Sequence, residues 1–121
     1  MRYTQLVFSP TGGVRKAAGM LSSAIADRFE TIDLSLTLNG QKSAAFDSED
    51  VCLIAVPSFG GRVPEIALTR LAQTNGGGAR AILMCVYGNR DDGDTLFELR
   101  DASRKAGYCP IAAVRAVAQH S

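Results

Sequence analysis

The feature that most constrains this chain is a run with no polar side chain, Val51-Cys52-Leu53-Ile54-Ala55-Val56, halted by Pro57. A strand with one face in water alternates apolar and polar residues. A strand without a polar position is buried on both faces, which is the situation inside a parallel sheet with a helical layer on each side. Such a sheet needs crossover helices between its strands, and the rest of the sequence supplies them.

Tyr3 to Phe8 is a short, β-rich run that ends in Ser9-Pro10-Thr11-Gly12-Gly13, a strand followed by a breaker. Val14, Ala18, Leu21 and Ile25 then recur at helical spacing and Phe29 extends the stripe, which predicts a helix from about Gly13 to Arg28. Thr31 to Leu34 reads as a second strand. Ser35 to Glu49 is polar and carries the turn signal Asn39-Gly40, with room for a helical turn or two at most. Pro64 opens the next helix, where a missing N–H costs nothing, with Leu68, Leu71 and Ala72 on its apolar side and Asn75-Gly76-Gly77-Gly78 at its end. Ala81 to Tyr87 is the fourth strand. Leu96, Leu99, Ala102 and Ala106 form one face of a helix ending at Gly107, and Pro110 to Ala118 is the fifth strand. Strands alternating with helices imply parallel pairing with right-handed crossovers, an α/β doubly wound sheet of five strands in the order 2-1-3-4-5. No internal repeat, low-complexity segment or second domain interrupts residues 1–121.

Composition narrows the function. A formal net charge of +1 leaves no basic surplus for nucleic acid. A structural zinc site needs four close ligands, and the one histidine and three cysteines are scattered along the sequence. Cys52, Cys85 and Cys109 are far apart in sequence and read as small buried hydrophobes in a reducing compartment. The amino terminus reaches a Gly-rich loop too soon for a signal peptide, and no apolar run has the length of a membrane span. These features lead to the expectation of a cytoplasmic protein with no membrane or nucleic-acid partner.

In a doubly wound sheet, ligands bind beyond the carboxyl ends of the strands, where the strand order reverses. Three loops of special composition fall on that edge. The first, Ser9 to Val14, is small, hydroxylated and glycine-rich and leads directly into a helix, whose amino-terminal N–H groups and dipole favour an anion. A simple strand-to-helix turn with Thr11 as N-cap is the alternative. The loop has neither a Gly-x-x-x-x-Gly-Lys-Ser/Thr nor a Gly-x-Gly-x-x-Gly pattern, which argues against a nucleoside triphosphatase and leaves a dinucleotide without support. Arg15 and Lys16 read as a solvated helix face. The second loop, Pro57-Ser58-Phe59-Gly60-Gly61-Arg62-Val63-Pro64, sets an aromatic ring among small residues, where it either stacks on a flat ligand or folds back onto the core. The third, Tyr87-Gly88-Asn89-Arg90-Asp91-Asp92-Gly93-Asp94, adds a second aromatic, an amide and an acidic cluster in which Asp92 or Asp94 is placed to cap the next helix.

Together, Phe8 to Gly13, Val56 to Pro64 and Val86 to Arg90 resemble the three cofactor loops of flavodoxin-like domains, most closely the bacterial group in which this domain can precede an iron–sulfur ferredoxin domain. The resemblance spans almost the whole chain. It implies that Ser9, Thr11, Gly12 and Gly13 hold the phosphate of flavin mononucleotide (FMN), that Phe59 stacks on one face of the flavin with Gly60-Gly61 near its N5, and that Tyr87, Gly88, Asn89 and Arg90 line the other side. Pro57, Ser58, Arg62 and Asp92 complete the implied cofactor contacts. The implied activity is electron transfer in one-electron steps, with a redox protein such as a ferredoxin domain or a reductase as partner and no covalent chemistry by the protein, a carrier rather than a substrate-converting enzyme being the expectation.

Val14 stands where the family usually has a hydroxyl, which removes one phosphate hydrogen bond worth roughly 1.5–3 kcal/mol when the partner is charged. The chain also stops after the fifth strand, where a flavodoxin adds a final helix. Burying about four large apolar side chains, such a helix contributes on the order of 6–12 kcal/mol, at roughly 1.5–3 each, against a whole-domain stability of about 5–15. The expectation is therefore that Ile111, Ala113 and their neighbours are covered by a partner chain, for example in a homodimer, or that the chain is an excised domain. Two other functions fit the loops: a small NAD(P)H-dependent flavin or quinone reductase, and an interaction module of the same fold that has lost its cofactor. A receiver-type signalling domain does not fit, because Ser9-Pro10 and Pro57-Ser58 stand where it needs acidic residues.

Overall fold

The structure is a computed structural model and describes residues 2–36, 44–87 and 94–117. The Asn39-Gly40 turn, Gly88, Asn89, Arg90, Asp91 and Asp92 of the third loop, and the chain end from Ala118 lie outside the described residues. Strands and helices alternate: β1 (Tyr3–Val7), α1 (Gly13–Ile25), β2 (Glu30–Asp33), β3 (Val51–Pro57), α2 (Glu65–Ala72), β4 (Arg80–Tyr87), α3 (Thr95–Lys105) and β5 (Cys109–Val117). The sheet order is β2-β1-β3-β4-β5 and each neighbouring pair is parallel. From β1 the chain steps outward to β2, then returns past β1 to β3 and continues the other way. The order therefore reverses between β1 and β3, whose carboxyl ends send their loops apart.

The apolar run of β3 is buried from Cys52 to Pro57, as its composition requires. Leu53 and Ala55 join Tyr3, Val7, Met84 and Val86 under α1, while Cys52, Ile54 and Val56 face the other layer with Leu6, Leu83, Cys85 and residues of α2 and α3. Residues two apart on a strand share a face, so one unbroken apolar run feeds both cores.

Helix α1 ends earlier than its stripe predicts. Ala26 is already extended (φ −137°, ψ 145°), and Phe29 reaches the core from the following loop, edge-on to Tyr3 at a centroid distance of 6.2 Å. Ile25 is exposed. Val14, Ala18 and Ser22 are the residues this helix buries. Ser22 is inside because β1 carries a buried glutamine. The Ser22 hydroxyl donates to Gln5 Oε1 at 2.7 Å and lies 3.1 Å from the Tyr3 hydroxyl, and Gln5 Nε2 donates to Thr31 Oγ1 at 2.9 Å. This chain of bonds satisfies polar groups whose burial is otherwise costly.

Pro64 is the N-cap of α2 rather than its first residue, and Glu65 and Arg70 sit at the helix ends that the dipole favours for their charges. The glycine run after α2 both terminates it and packs closely. Gly77 has φ +55°, and a Cβ there would collide with the Phe46 carbonyl, while the Gly76 and Gly78 amides donate to Ala106 O and Gly107 O. In β5 the register slips by one residue: Pro110 pairs with Ala81 and Ala112 with Ile82, leaving Ile111 as the extra residue of a bulge, 57% exposed. Cys109 begins this edge strand and is exposed, unlike Cys52 and Cys85, which are buried as expected. Among the described residues no helix is long and apolar enough to cross a membrane.

Candidate functional site

Because β1, β3 and β4 are adjacent and parallel, the loops leaving Val7, Pro57 and Tyr87 emerge on one edge. The first loop enters α1 through Gly12, which occupies the N-cap in a left-handed conformation (φ 92°, ψ −17°) and makes no side-chain cap bond. Thr11 is therefore not the cap. It is exposed, beside Gly12 and Gly13, where a Cβ would meet nothing within 4 Å. Ser9 Oγ instead accepts from the Arg15 amide at 3.0 Å, one helical turn inside, and the Ser9 amide donates to Ser35 Oγ at 2.9 Å. The amides of Gly13 and Val14 have no acceptor among the described residues. These are orphan donors of a helix start. The first turn also has no acidic residue. It carries Arg15 and Lys16, charges that repel the positive end of the helix dipole. Arg15 is partly compensated by Asp33 at 3.7 Å. The Val14 side chain is buried in the core under α1, so Val14 can offer this loop its amide alone.

The second loop is a tight hairpin. Phe59 and Arg62 exchange both backbone bonds, at 2.9 and 3.1 Å, across Gly60 (φ 61°) and Gly61 (φ 79°). Positive φ at both central positions is the I′ type of turn, which glycine adopts without strain. The hairpin holds Phe59 out from the core, 56% exposed, so the fold-back alternative is not what this sequence does. Pro57 is buried as the last residue of β3.

Helix α3 fastens the hairpin at both ends. Ser58 Oγ lies 2.7 Å from Thr95 Oγ1, and the Ser58 amide donates to Val86 O at 3.0 Å. At the other end, Glu98 Oε2 accepts from Arg62 Nη2 (2.7 Å) and Nε (3.0 Å), and Glu98 Oε1 accepts from the Val63 amide at 2.8 Å. The Arg62 hydrogen bonds hold the Glu98 carboxyl below its ordinary range; partial burial opposes this and the Val63 amide adds to it. Arg62 is thus a tether of the loop as well as a cation on the edge. Thr95 and Glu98 hold the hairpin and Ser35 holds the first loop, and none has a sequence signal, since each partner lies 26 or more residues away.

Of the third loop, Tyr87 is described. It is buried at the end of β4 among the α2 and α3 core residues, so its ring supports the edge from below. Asp94 takes the N-cap of α3, without a side-chain bond.

No family model matches this sequence, and no curated protein matches it. Solved structures do. Two-electron reduced flavodoxin from Megasphaera elsdenii aligns with a TM-score of 0.64 at 19% identity, over 94% of this chain and 85% of that one. The fold is flavodoxin-like. A flavodiiron core from Synechocystis sp. PCC6803 aligns with a TM-score of 0.65 at 14% identity over 97% of this chain, which spans 30% of that protein. General stress protein 14 of Treponema denticola, solved in complex with FMN, aligns with a TM-score of 0.64 at 12% identity, over 97% of this chain and 86% of that one. At these identities the likeness is one of fold.

The residues of this flavodoxin-like edge fit a phosphorylated flat ligand. Uncommitted amides, open space over Gly12 and Gly13, and a cationic first turn suit a phosphate. An exposed aromatic ring on an adjacent strand end suits a planar apolar group.

Proposed function

We propose that this chain binds FMN at the carboxyl edge of its sheet and serves as an electron carrier. The observation that carries this reading is the pairing, on neighbouring strand ends, of an uncapped, acid-free helix start with an exposed phenylalanine on a Gly-Gly hairpin. A helix start with two amides, at Gly13 and Val14, that lack an acceptor among the described residues, and with two cations in its first turn, is poorly stabilised by itself, and a bound phosphate corrects both defects.

In this reading the Gly13 and Val14 amides and the Ser9 and Thr11 hydroxyls bind the phosphate, with Gly12 admitting it to the backbone. Phe59 orients the flavin by covering one face and excludes water from it. Gly60-Gly61 presents backbone beside the ring without side-chain obstruction, and Arg62, tied to Glu98, keeps that hairpin in place. Gly88, Asn89, Arg90 and Asp92 are assigned to the ring's other side on the resemblance of their sequence alone. Bound FMN supplies reversible one- and two-electron redox chemistry; the chain supplies binding, orientation and electrostatics. No nucleophile or general base is assigned. The partner in this reading is a redox protein, a ferredoxin domain or a reductase, as in the bacterial group whose loops these resemble.

The test is an absorbance spectrum of protein purified from flavin-replete cells, followed by dithionite titration. A bound-flavin spectrum that bleaches on reduction supports the proposal. Colourless protein that also fails to take up added FMN contradicts it.

A further inference from the structure

On the far side of the sheet from α1, between α3 and the edge strand β5, lies a groove of about 380 Å³. That volume falls within the roughly 300–1,000 Å³ of small-molecule sites. Its floor is apolar, made by Leu83, Leu96 and Ala113, and Phe97, 59% exposed, forms one wall. Among the described residues, the charged ones lining it are Arg100, Arg104 and Arg115. Arg100 stands over the Phe97 ring, its guanidinium carbon 5.1 Å from the centroid, and meets Asp101 at 3.4 Å in an exposed pair. Such a pair holds little energy against a better acceptor. Arg104 has no carboxylate partner among the described residues.

We propose that this groove binds a small organic anion with a flat apolar body, an aryl carboxylate in chemical class. The apolar floor and the Phe97 ring take the body, and the Arg100 and Arg104 guanidinium groups take the carboxylate in charge-assisted hydrogen bonds. A neutral ligand of the same shape leaves the guanidinium groups unused, and a bare inorganic anion leaves the floor unused, so recognition requires both halves. The groove reaches the end of β4 at Tyr87, but no residue of the first or second loop lines it. It therefore does not depend on the FMN reading.

The experiment is an amide NMR titration of the purified protein, as isolated and again with saturating FMN. The probe is naphthalene-2-carboxylate, with 2-naphthalenemethanol as the neutral control. The proposal predicts saturable shifts confined to Leu83, Tyr87, Leu96–Arg104 and Pro110–Arg115, with the carboxylate binding at least about tenfold tighter than the alcohol. Arg104→Gln, a surface change that leaves the core alone, weakens the carboxylate by about three- to tenfold and leaves the alcohol unchanged. Equal affinity for the two probes, shifts gathered at Gly12–Arg15, no saturation, or an Arg104→Gln protein that binds as the parent does each overturn it. A protein that binds no FMN but meets these expectations leaves the groove proposal standing.

Discussion

Glu98→Ala isolates how the aromatic hairpin is held. The carboxylate makes two kinds of bond: one to the Val63 amide at 2.8 Å, and two to the exposed Arg62 guanidinium at 2.7 and 3.0 Å. The Val63 side chain is buried at 5% exposure and its amide bond is partly buried, so losing the acceptor leaves a donor with poor access to water. Hydrogen bonds to charged groups contribute about 1.5–3 kcal/mol each. The Arg62 pair is open to solvent and screened, so it adds little. Glu98→Ala is therefore expected to lower Tm by about 6–12 °C, at roughly 4 °C per kcal/mol for a domain of this size. Arg62→Gln should shift it hardly at all, and Glu98→Gln, which keeps a neutral acceptor for Val63, should fall between. The pH dependence has a fixed sign. The folded carboxyl is held below its ordinary value of 4.5, so its contribution is complete above that value and is lost as pH falls through the lowered one. Thermal melts followed by far-ultraviolet circular dichroism at pH 7 and pH 3 measure both effects. Equal destabilisation by Arg62→Gln and Glu98→Ala, or a neutral Glu98→Ala, would refute the reasoning.

Three further outcomes follow from the same structure. Gly60→Ala meets open space and carries backbone strain alone, about 1–2 kcal/mol, whereas Gly77→Ala drives a Cβ into the Phe46 carbonyl and is expected to lose more than about 3 kcal/mol in urea unfolding. Phe59→Ala should leave stability almost unchanged, since the ring is mostly exposed, and weaken FMN binding by about two- to tenfold in a fluorescence titration. Burial pushes the Tyr108 hydroxyl from 10.0 up to about 12 and the Cys52 thiol from 9.0 up to about 12. The folded chain keeps protons that the unfolded chain sheds, so stability falls as pH rises from about 9 to 12 in urea titrations, and Tyr108→Phe flattens the slope.

The architecture was legible because its strongest signal is one of composition: the run from Val51 to Val56 has no face to give to water, and that alone demands helices on both sides. Helix α1 shows where periodicity misleads. Phe29 continues the apolar stripe, yet the chain leaves the helix at Ala26 and brings the ring to Tyr3 from a loop. Ser22 is buried instead of Ile25 because Gln5, far away in sequence, needs a partner. Cys109 is exposed because an edge strand has a neighbour on one side only. At the candidate site, Gly12 and the Gly60-Gly61 turn were readable because positive φ restricts residue choice. The ties of Thr95 and Glu98 to the hairpin were not, because they exist only once α3 has packed against β4. Val14 reads from sequence as a lost phosphate ligand; in the fold its side chain serves the core and its amide remains on the edge.

The most direct test of the central claim is a titration of the flavin-free protein with FMN and, in parallel, with riboflavin, read by quenching of flavin fluorescence. If the start of α1 is a phosphate site beside a stacking aromatic, FMN saturates one site and riboflavin, which lacks the phosphate, binds at least about tenfold more weakly. Riboflavin binding as tightly as FMN would contradict the phosphate cradle, and no saturable binding of either would contradict the account as a whole.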